Sequence, residues 1–268
     1  MIIPLTVILA LIILYLFCLK GRTNHPGLKE LRKWNYAHRG LHNSEKPENS
    51  MAAFRAAKEG GYGIELDIHL MKDGNLAVIH DSCLKRVAGA DVNIEDLTLA
   101  DLENYRLGGT DEKIPLFSQV LELYDGAAPL IVELKTANGN HTALCIAACE
   151  LLDKYKGAFC IESFDPRCII WLRKNRPDII RGQLSENWLK SNLKLPWILK
   201  FLMTTHISNI ATRPDFIAYN YQHRKVFGTD ICRKFWGVQG VSWTIRTKED
   251  FDIAVKEGWI PIFENFVP

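Results

Sequence analysis

Short apolar runs alternate with helix-forming stretches along most of this 268-residue chain. The runs are short and end at polar residues, as strands do, and the stretches between them are long enough for helices. Repeated alternation of this kind predicts strands joined by helical crossovers. The eight candidate strands are residues 34–37, 63–68, 130–134, 159–163, 179–184, 216–219, 240–245 and 260–263. Candidate helices between them include residues 50–60, 142–156, 166–175 and 247–257.

Eight such units in a chain of this length predict a (β/α)8 barrel of the TIM type. An open, doubly wound sheet is the alternative, but no glycine-rich phosphate loop follows the first strand. Residues 82–115 exceed an ordinary connection and predict a small helical insertion after the second strand. The sequence therefore predicts one barrel domain over residues 34–268, interrupted by that insertion.

The N-terminal segment differs from the rest of the chain. Residues 2–18 are apolar without a charge, near the lower limit of roughly 17–25 residues for a spanning helix. Basic residues such as Lys20 and Arg22 follow this stretch, which places its C-terminal side in the cytoplasm. We expect a transmembrane anchor at residues 1–20, a connector at 21–33 and a single-pass membrane protein with a cytoplasmic barrel. An anchor with the barrel outside and an atypical signal peptide are the alternatives.

Charge and cysteine usage narrow the classes of function. The formal net charge is only +2, so no bulk electrostatic argument favours a nucleic-acid partner. Seven cysteines occur without a C-x-x-C pair, and their number is odd. This usage argues against a disulfide framework and favours a reducing compartment.

Charged residues gather where the candidate strands end. The carboxyl ends of barrel strands meet at one rim, so side chains there should converge. Residues two apart on a strand share a face, which groups the carboxylates and a lysine. Three carboxylates with water oxygens suit Mg²⁺ or Ca²⁺. The residues are His38 and Arg39 after the first strand, Glu65 and Asp67 on the second, and Glu133 and Lys135 on the third.

A second histidine should return to the same rim. Asp73-Gly74 is a hairpin turn signal between two apolar segments, and it should fold His80 back toward the carboxylates. His38 and His80 could then exchange protons with a substrate, while Arg39 and Lys135 face phosphate oxygens. A hard-cation site, an acid–base pair and cations for phosphate are the parts that a phosphodiester hydrolase needs.

These residues resemble the motifs of the glycerophosphodiester phosphodiesterase family, over roughly residues 34 to 268. The family commonly ends its last strand in Thr-Asp, where this chain has Glu264-Asn265, and we expect this departure to leave the main site untouched. The matching motifs are His38-Arg39-Gly40, Pro47-Glu48-Asn49, Glu65-Leu66-Asp67, Lys72-Asp73-Gly74, His80-Asp81 and Glu133-Leu134-Lys135.

The resemblance implies a metal-dependent hydrolase of glycerophospholipid metabolism that releases sn-glycerol 3-phosphate and an alcohol. A lysophospholipase D-like enzyme acting on membrane lysophospholipids is one alternative. A non-catalytic lipid-binding barrel is another, but the complete set of site residues argues against it. The resemblance implies His38 as base, His80 as acid and Trp243 in the substrate pocket. The pattern of residues itself predicts Arg39 and Lys135 on phosphate and Glu65, Asp67 and Glu133 on the metal, with Glu48 supporting these groups rather than binding the metal.

Overall fold

A closed sheet of eight parallel strands, with a ninth strand added, forms the centre of the protein. The computed structural model describes residues 5–191 and 194–268. The first strand pairs with both the second and the last, which closes the sheet and confirms the predicted barrel. The strands are β1 Tyr36–His38, β2 Gly63–Leu70, β3 Leu76–Val78, β4 Leu130–Leu134, β5 Phe159–Ser163, β6 Arg181–Ser185, β7 Phe216–Asn220, β8 Gln239–Ile245 and β9 Trp259–Phe263.

Two helices precede the first strand, and the others lie between successive strands. They are α1 Leu5–Cys18, α2 Leu28–Leu31, α3 Met51–Glu59, α4 Lys85–Ala88, α5 Phe117–Tyr124, α6 His141–Leu152, α7 Pro166–Asn175, α8 Trp197–Thr204, α9 Asn209–Thr212, α10 Phe227–Asp230 and α11 Lys248–Lys256. Several begin at a capping residue: the Ser50 hydroxyl accepts from the Ala53 backbone N–H at 3.1 Å, and Asp165 caps α7 ahead of Pro166. These caps satisfy backbone donors that a helix start would otherwise leave free.

The barrel interior is packed below its mouth. Tyr36, Ile131, Phe216 and their neighbours form one apolar cluster with Leu28 and Leu31 of α2. The Tyr36 hydroxyl donates to the Leu31 carbonyl at 3.0 Å, so α2 covers the end of the barrel where the strands begin. Side-chain chemistry is therefore confined to the opposite end, where the strands finish.

The hairpin and the insertion flank that open end. Strand β3 runs antiparallel to β2 after the Asp73-Gly74 turn, as the sequence predicts. The insertion contains α4 and two short 3₁₀ turns, Ile94–Asp96 and Asp101–Asn104. Its leucines and isoleucines pack with Met71, Ala77 and Ile79 in a small core of their own. This core supports the hairpin that carries His80.

The predicted transmembrane anchor is wrong. No helix within residues 5–191 and 194–268 is long enough and apolar enough to cross a membrane. Within the described residues α1 has 14 residues, about 21 Å at 1.5 Å per residue, against a hydrocarbon core of about 30 Å. The last turn of α1 and the residue after it pack on the rest of the protein: the Trp236 indole N–H donates to the Leu16 carbonyl at 2.8 Å, and Leu19 is buried. Residues 1–4 of the expected anchor lie outside the described residues, and the expected single-pass membrane location falls with the anchor.

Candidate active site

A cavity of about 190 Å³ opens where the barrel strands end. Seven strands contribute to its lining, because alternate residues of each strand face the barrel interior. Its lining includes the predicted residues His38, Arg39, Glu65, His80, Glu133 and Trp243. The structure thus brings both histidines, one phosphate-facing cation and two of the three predicted metal ligands to one space.

The three predicted metal ligands form a compact cluster at this cavity. Asp67 and Glu133 are register partners on the adjacent strands β2 and β4, and Glu65 lies two residues before Asp67. Each offers an oxygen within 4.8 Å of the others, and all three side chains are buried. Asp67 Oδ1 and Glu133 Oε1 have no aligned hydrogen-bond donor among the described residues, although Lys135 Nζ lies 3.1 and 2.7 Å away. An all-oxygen donor set with free lone pairs fits a hard divalent cation.

Charge in this cluster is unevenly shared. Burial raises the pKa of Glu65 well above its usual range, and the neighbouring Asp67 and Glu133 carboxylates add to that rise. Burial raises the pKa of Glu133 to about 7, with Lys135 opposing the rise. Burial also acts on Asp67, but Lys135 and Arg39 outweigh it and lower the pKa of this carboxyl well below its usual range. Two protein cations therefore do not offset three ionised carboxylates, and a bound cation would relieve the repulsion.

Arg39 and Lys135 lie beside the carboxylates rather than on the surface. Arg39 Nη1 donates to Glu48 Oε1 at 2.8 Å, and its Nε lies 3.3 Å from Asp67 Oδ2. Glu48 also accepts from Arg86 of the insertion, at 2.7 and 2.8 Å. Glu48 therefore orients Arg39 and joins it to the insertion. Lys135 pairs with Asp67 and Glu133, so both cations lie next to the metal cluster.

His38 contacts a carboxylate on each side of its ring. Its Nδ1 lies 3.1 Å from Glu264 Oε2, and its Nε2 lies 3.8 Å from Glu65 Oε2. Burial lowers the pKa of His38 to about 4, although Glu264 opposes the shift. The imidazole is therefore neutral near neutral pH, with Nδ1–H directed at Glu264 and the Nε2 lone pair available.

His80 has a different carboxylate partner. Its Nδ1 lies 2.6 Å from Asp81 Oδ1, and Arg86 Nε donates to Asp81 Oδ2 at 2.5 Å. Behind it, His69 Nε2 lies 3.1 Å from the His80 carbonyl oxygen, while His69 Nδ1 contacts Glu95. Burial lowers the pKa of His80, and the charge of Asp67 opposes this effect. His80 is thus fixed by side chains from both the hairpin and the insertion.

Two site residues were missed or misjudged from the sequence. Glu264 was expected to leave the main site untouched, yet it contacts His38 and lies 3.6 Å from His42 Nε2. Glu162 lines the cavity and is buried; the run Glu162-Ser163-Phe164 also resembles the family, but no role was expected for its carboxylate. A carboxylate inside the apolar run Phe159–Ser163 was the available signal, since such a side chain has to meet a partner within the barrel.

Comparison with known proteins agrees with this geometry. The profile of the glycerophosphoryl diester phosphodiesterase family matches residues 38–267. A glycerophosphodiester phosphodiesterase from Caldanaerobacter subterraneus subsp. tengcongensis is 29% identical over 232 residues, covering 83% of this chain and 89% of the relative. The lysophospholipase D GDPD1 of Homo sapiens is 36% identical over 124 residues, covering 41% of this chain and 38% of that protein.

Solved structures share the fold. A phosphodiesterase from Oleispira antarctica, in complex with the product sn-glycerol-3-phosphate, superposes with a TM-score of 0.70 at 22% identity. The match covers 86% of this chain and 92% of that one. At this identity the likeness concerns the barrel, and the motif residues carry the likeness in chemistry.

Proposed function

The chain belongs to the glycerophosphoryl diester phosphodiesterase family, and we propose how the residues at its barrel mouth carry out that chemistry. It is a phosphodiester hydrolase that cleaves glycerophosphodiesters to sn-glycerol 3-phosphate and an alcohol. The observation that supports the division of roles is the buried carboxylate cluster with both cations and both histidines around one cavity.

Glu65, Asp67 and Glu133 would hold the divalent cation, and their oxygen-only donor set favours Mg²⁺ or Ca²⁺. When bound, the cation supplies Lewis-acid polarisation of the phosphate. Arg39 and Lys135 would contact the non-bridging phosphate oxygens and stabilise the charge that develops on them. Glu48 keeps the Arg39 guanidinium turned toward that position through the 2.8 Å hydrogen bond.

The two histidines would divide proton transfer. His38, neutral because of its burial, would take the proton of the attacking oxygen at Nε2, while Glu264 holds the Nδ1–H. His80 would give a proton to the departing alcohol, and Asp81 favours the protonated ring that this step requires. Either a water or a glycerol hydroxyl of the substrate fits the attacking position.

A substrate panel with metal removal tests this function. Release of glycerol 3-phosphate from glycerophosphodiesters should stop in excess chelator and return with Mg²⁺ or Ca²⁺. Glu65→Ala, Asp67→Ala and Glu133→Ala should each lose turnover at physiological metal, since removing one carboxylate weakens a hard-cation site. Glu150→Ala, which removes an exposed carboxylate on α6, is the matched control and should keep full activity. Full activity of one of the three variants in excess chelator would remove that residue from the site.

Lysophospholipase D activity is the second candidate. It is favoured by the 36% identity to a protein of that name, over less than half of either chain. Parallel assays on a soluble glycerophosphodiester and on a lysophospholipid of the same headgroup separate the two. Faster hydrolysis of the lysophospholipid would identify this second activity as the main one.

A further inference from the structure

Glu162 is a buried carboxyl group inside the barrel that the mechanism above does not use. It lies on β5 beside Glu133 of β4, and only 1% of it is exposed. Its Oε2 atom is buried and has no hydrogen-bond partner among the residues that the structure describes. A polar atom in that position is costly unless a ligand satisfies it. The same side chain lines the active-site cavity, so a ligand there can reach it.

A second residue that lines the same cavity also carries an unsatisfied polar atom. The indole Nε1 of Trp243 is buried without an acceptor in the described part of the chain. The rings of Trp243 and Phe164 pack edge to face, with centroids 5.6 Å apart. Leu184 and Ile262 complete an apolar lining on this side of the cavity. This wall therefore offers carbon surface with one carboxyl group and one N–H donor.

That combination fits a small polyol. The carbon atoms of a polyol contact aromatic and aliphatic side chains, while its hydroxyl groups donate to a carboxyl oxygen and accept from an indole N–H. The proposed phosphate position is next to this wall, because Arg39 lines the same cavity and Lys135 Nζ lies 5.9 Å from the Phe164 ring centroid. A polyol against the wall would therefore be the group attached to the bound phosphate. A carboxyl group accepts from a hydroxyl in either protonation state, so the fit does not depend on its charge.

We propose that Glu162 determines specificity for the alcohol that stays on the phosphate, by accepting a hydrogen bond from a free hydroxyl of its glycerol group. This inference rests on the proposed function, because it takes the phosphate position from Arg39 and Lys135. An acyl chain on that hydroxyl would remove the hydrogen bond and leave the buried carboxyl unpaired. The residue therefore favours deacylated glycerophosphodiesters over lysophospholipids acylated there.

Equilibrium binding tests the inference whether water or a substrate hydroxyl is the attacking group, because no bond is broken in the measurement. Calorimetric titration in Mg²⁺ compares sn-glycerol 3-phosphate with n-propyl phosphate, which has the same chain without hydroxyls. The wild type should prefer the glycerol ester by roughly 10- to 100-fold, the range expected for hydrogen bonds to a charged or buried group. Glu162→Met should bring the two affinities close together while leaving that for propyl phosphate nearly unchanged. Glu162→Gln, which keeps an acceptor, should recover part of the preference.

Two controls separate this role from others. Leu184→Met alters the same wall without a polar group and should keep the wild-type preference ratio. Mn²⁺ titration of Glu162→Met should give the wild-type affinity, and a large loss there would make Glu162 a metal ligand instead. A Glu162→Met protein that still prefers the glycerol ester as strongly as the wild type would overturn the inference. A wild type that binds neither ester would instead count against the proposed function itself.

Discussion

At the scale of single residues, the two site histidines differ in the group that holds each ring. His38 is held by Glu264 at the end of β9, and burial keeps its pKa low. His80 is held by Asp81, which is itself fixed by Arg86 of the insertion. A carboxylate backs each ring and burial lowers the pKa of both, so the assignment of His38 as base and His80 as acid follows the family resemblance.

This assignment of roles predicts a dependence on the leaving group. An alkoxide needs a proton as its bond breaks, whereas a nitrophenolate does not. Loss of a positioned acid typically costs about 10²–10⁴-fold in rate. His80→Ala should therefore lose most activity on a glycerophosphodiester and far less on an activated aryl phosphodiester, whereas His38→Ala should be impaired on both. Steady-state kcat values for the two substrates measure this.

Two other patterns of activity loss would contradict the assigned roles of the histidines. Equal losses for both variants on both substrates would show that the histidines do not divide the work in this way. Rescue of His38→Ala by the activated substrate would reverse the two roles. Asp81→Asn is a matched variant for His80, since it weakens the support of that ring without removing it, and it should show a smaller loss with the same substrate dependence.

At the scale of elements, the β8–α11–β9 unit carries two side chains of the site. Trp243 comes from β8 and Glu264 follows β9, and the helix between them sets how these strands enter the barrel. Helix α11 begins at Thr247, whose hydroxyl accepts from the Asp250 backbone N–H at 3.1 Å. Acidic residues in its first turn complement the helix dipole.

Removing this cap should lower stability without touching the cavity. Thr247→Ala should reduce the free energy of unfolding by about 1 kcal/mol, because a helix N–H loses its partner. Thr247→Ser keeps the hydroxyl and should stay close to the wild type. Urea denaturation followed by circular dichroism measures both variants. An Ala variant as stable as the Ser variant would show that water replaces the cap at no cost.

At the scale of the whole molecule, a buried histidine links stability to pH. His206 lies fully buried between α8 and α9, with Nε2 2.9 Å from Thr229 Oγ1. Burial lowers the pKa of His206 from 6.5 to about 4 in the folded protein. Between these values the unfolded chain binds a proton that the folded protein does not, so stability falls as pH falls from about 6.5 to about 4.

The size of that loss can be isolated by substitution. At pH 5 the wild type should have lost about 2 kcal/mol through His206, since each unit of pKa difference corresponds to about 1.4 kcal/mol. His206→Gln should lack this component, so its unfolding free energy should fall less between pH 7.5 and pH 5. Urea titrations at both pH values give the comparison. Equal losses in the two proteins would show that His206 does not cause the pH dependence.

Local sequence patterns were enough to predict the barrel and most of the residues at its mouth. Strands β4 and β5 and helix α7 were predicted with their observed bounds, and other barrel strands within one or two residues. The carboxylate cluster was equally readable, because Glu65 and Asp67 share a face through the two-residue period of a strand. Such features depend on local backbone geometry, which the order of apolar and polar residues specifies directly.

Contacts between segments far apart in the chain could not be predicted in this way. Glu264 and His38 are 226 residues apart and meet because β9 pairs with β1 when the barrel closes. Glu162 faces the cavity because strands packed side by side turn their alternate residues inward together. The N-terminal apolar segment was predicted as an anchor from hydropathy alone, whereas α1 has 14 described residues and Leu19, just after it, packs against Ile217 of β7. Contacts between distant segments depend on closure and packing, which no local pattern contains.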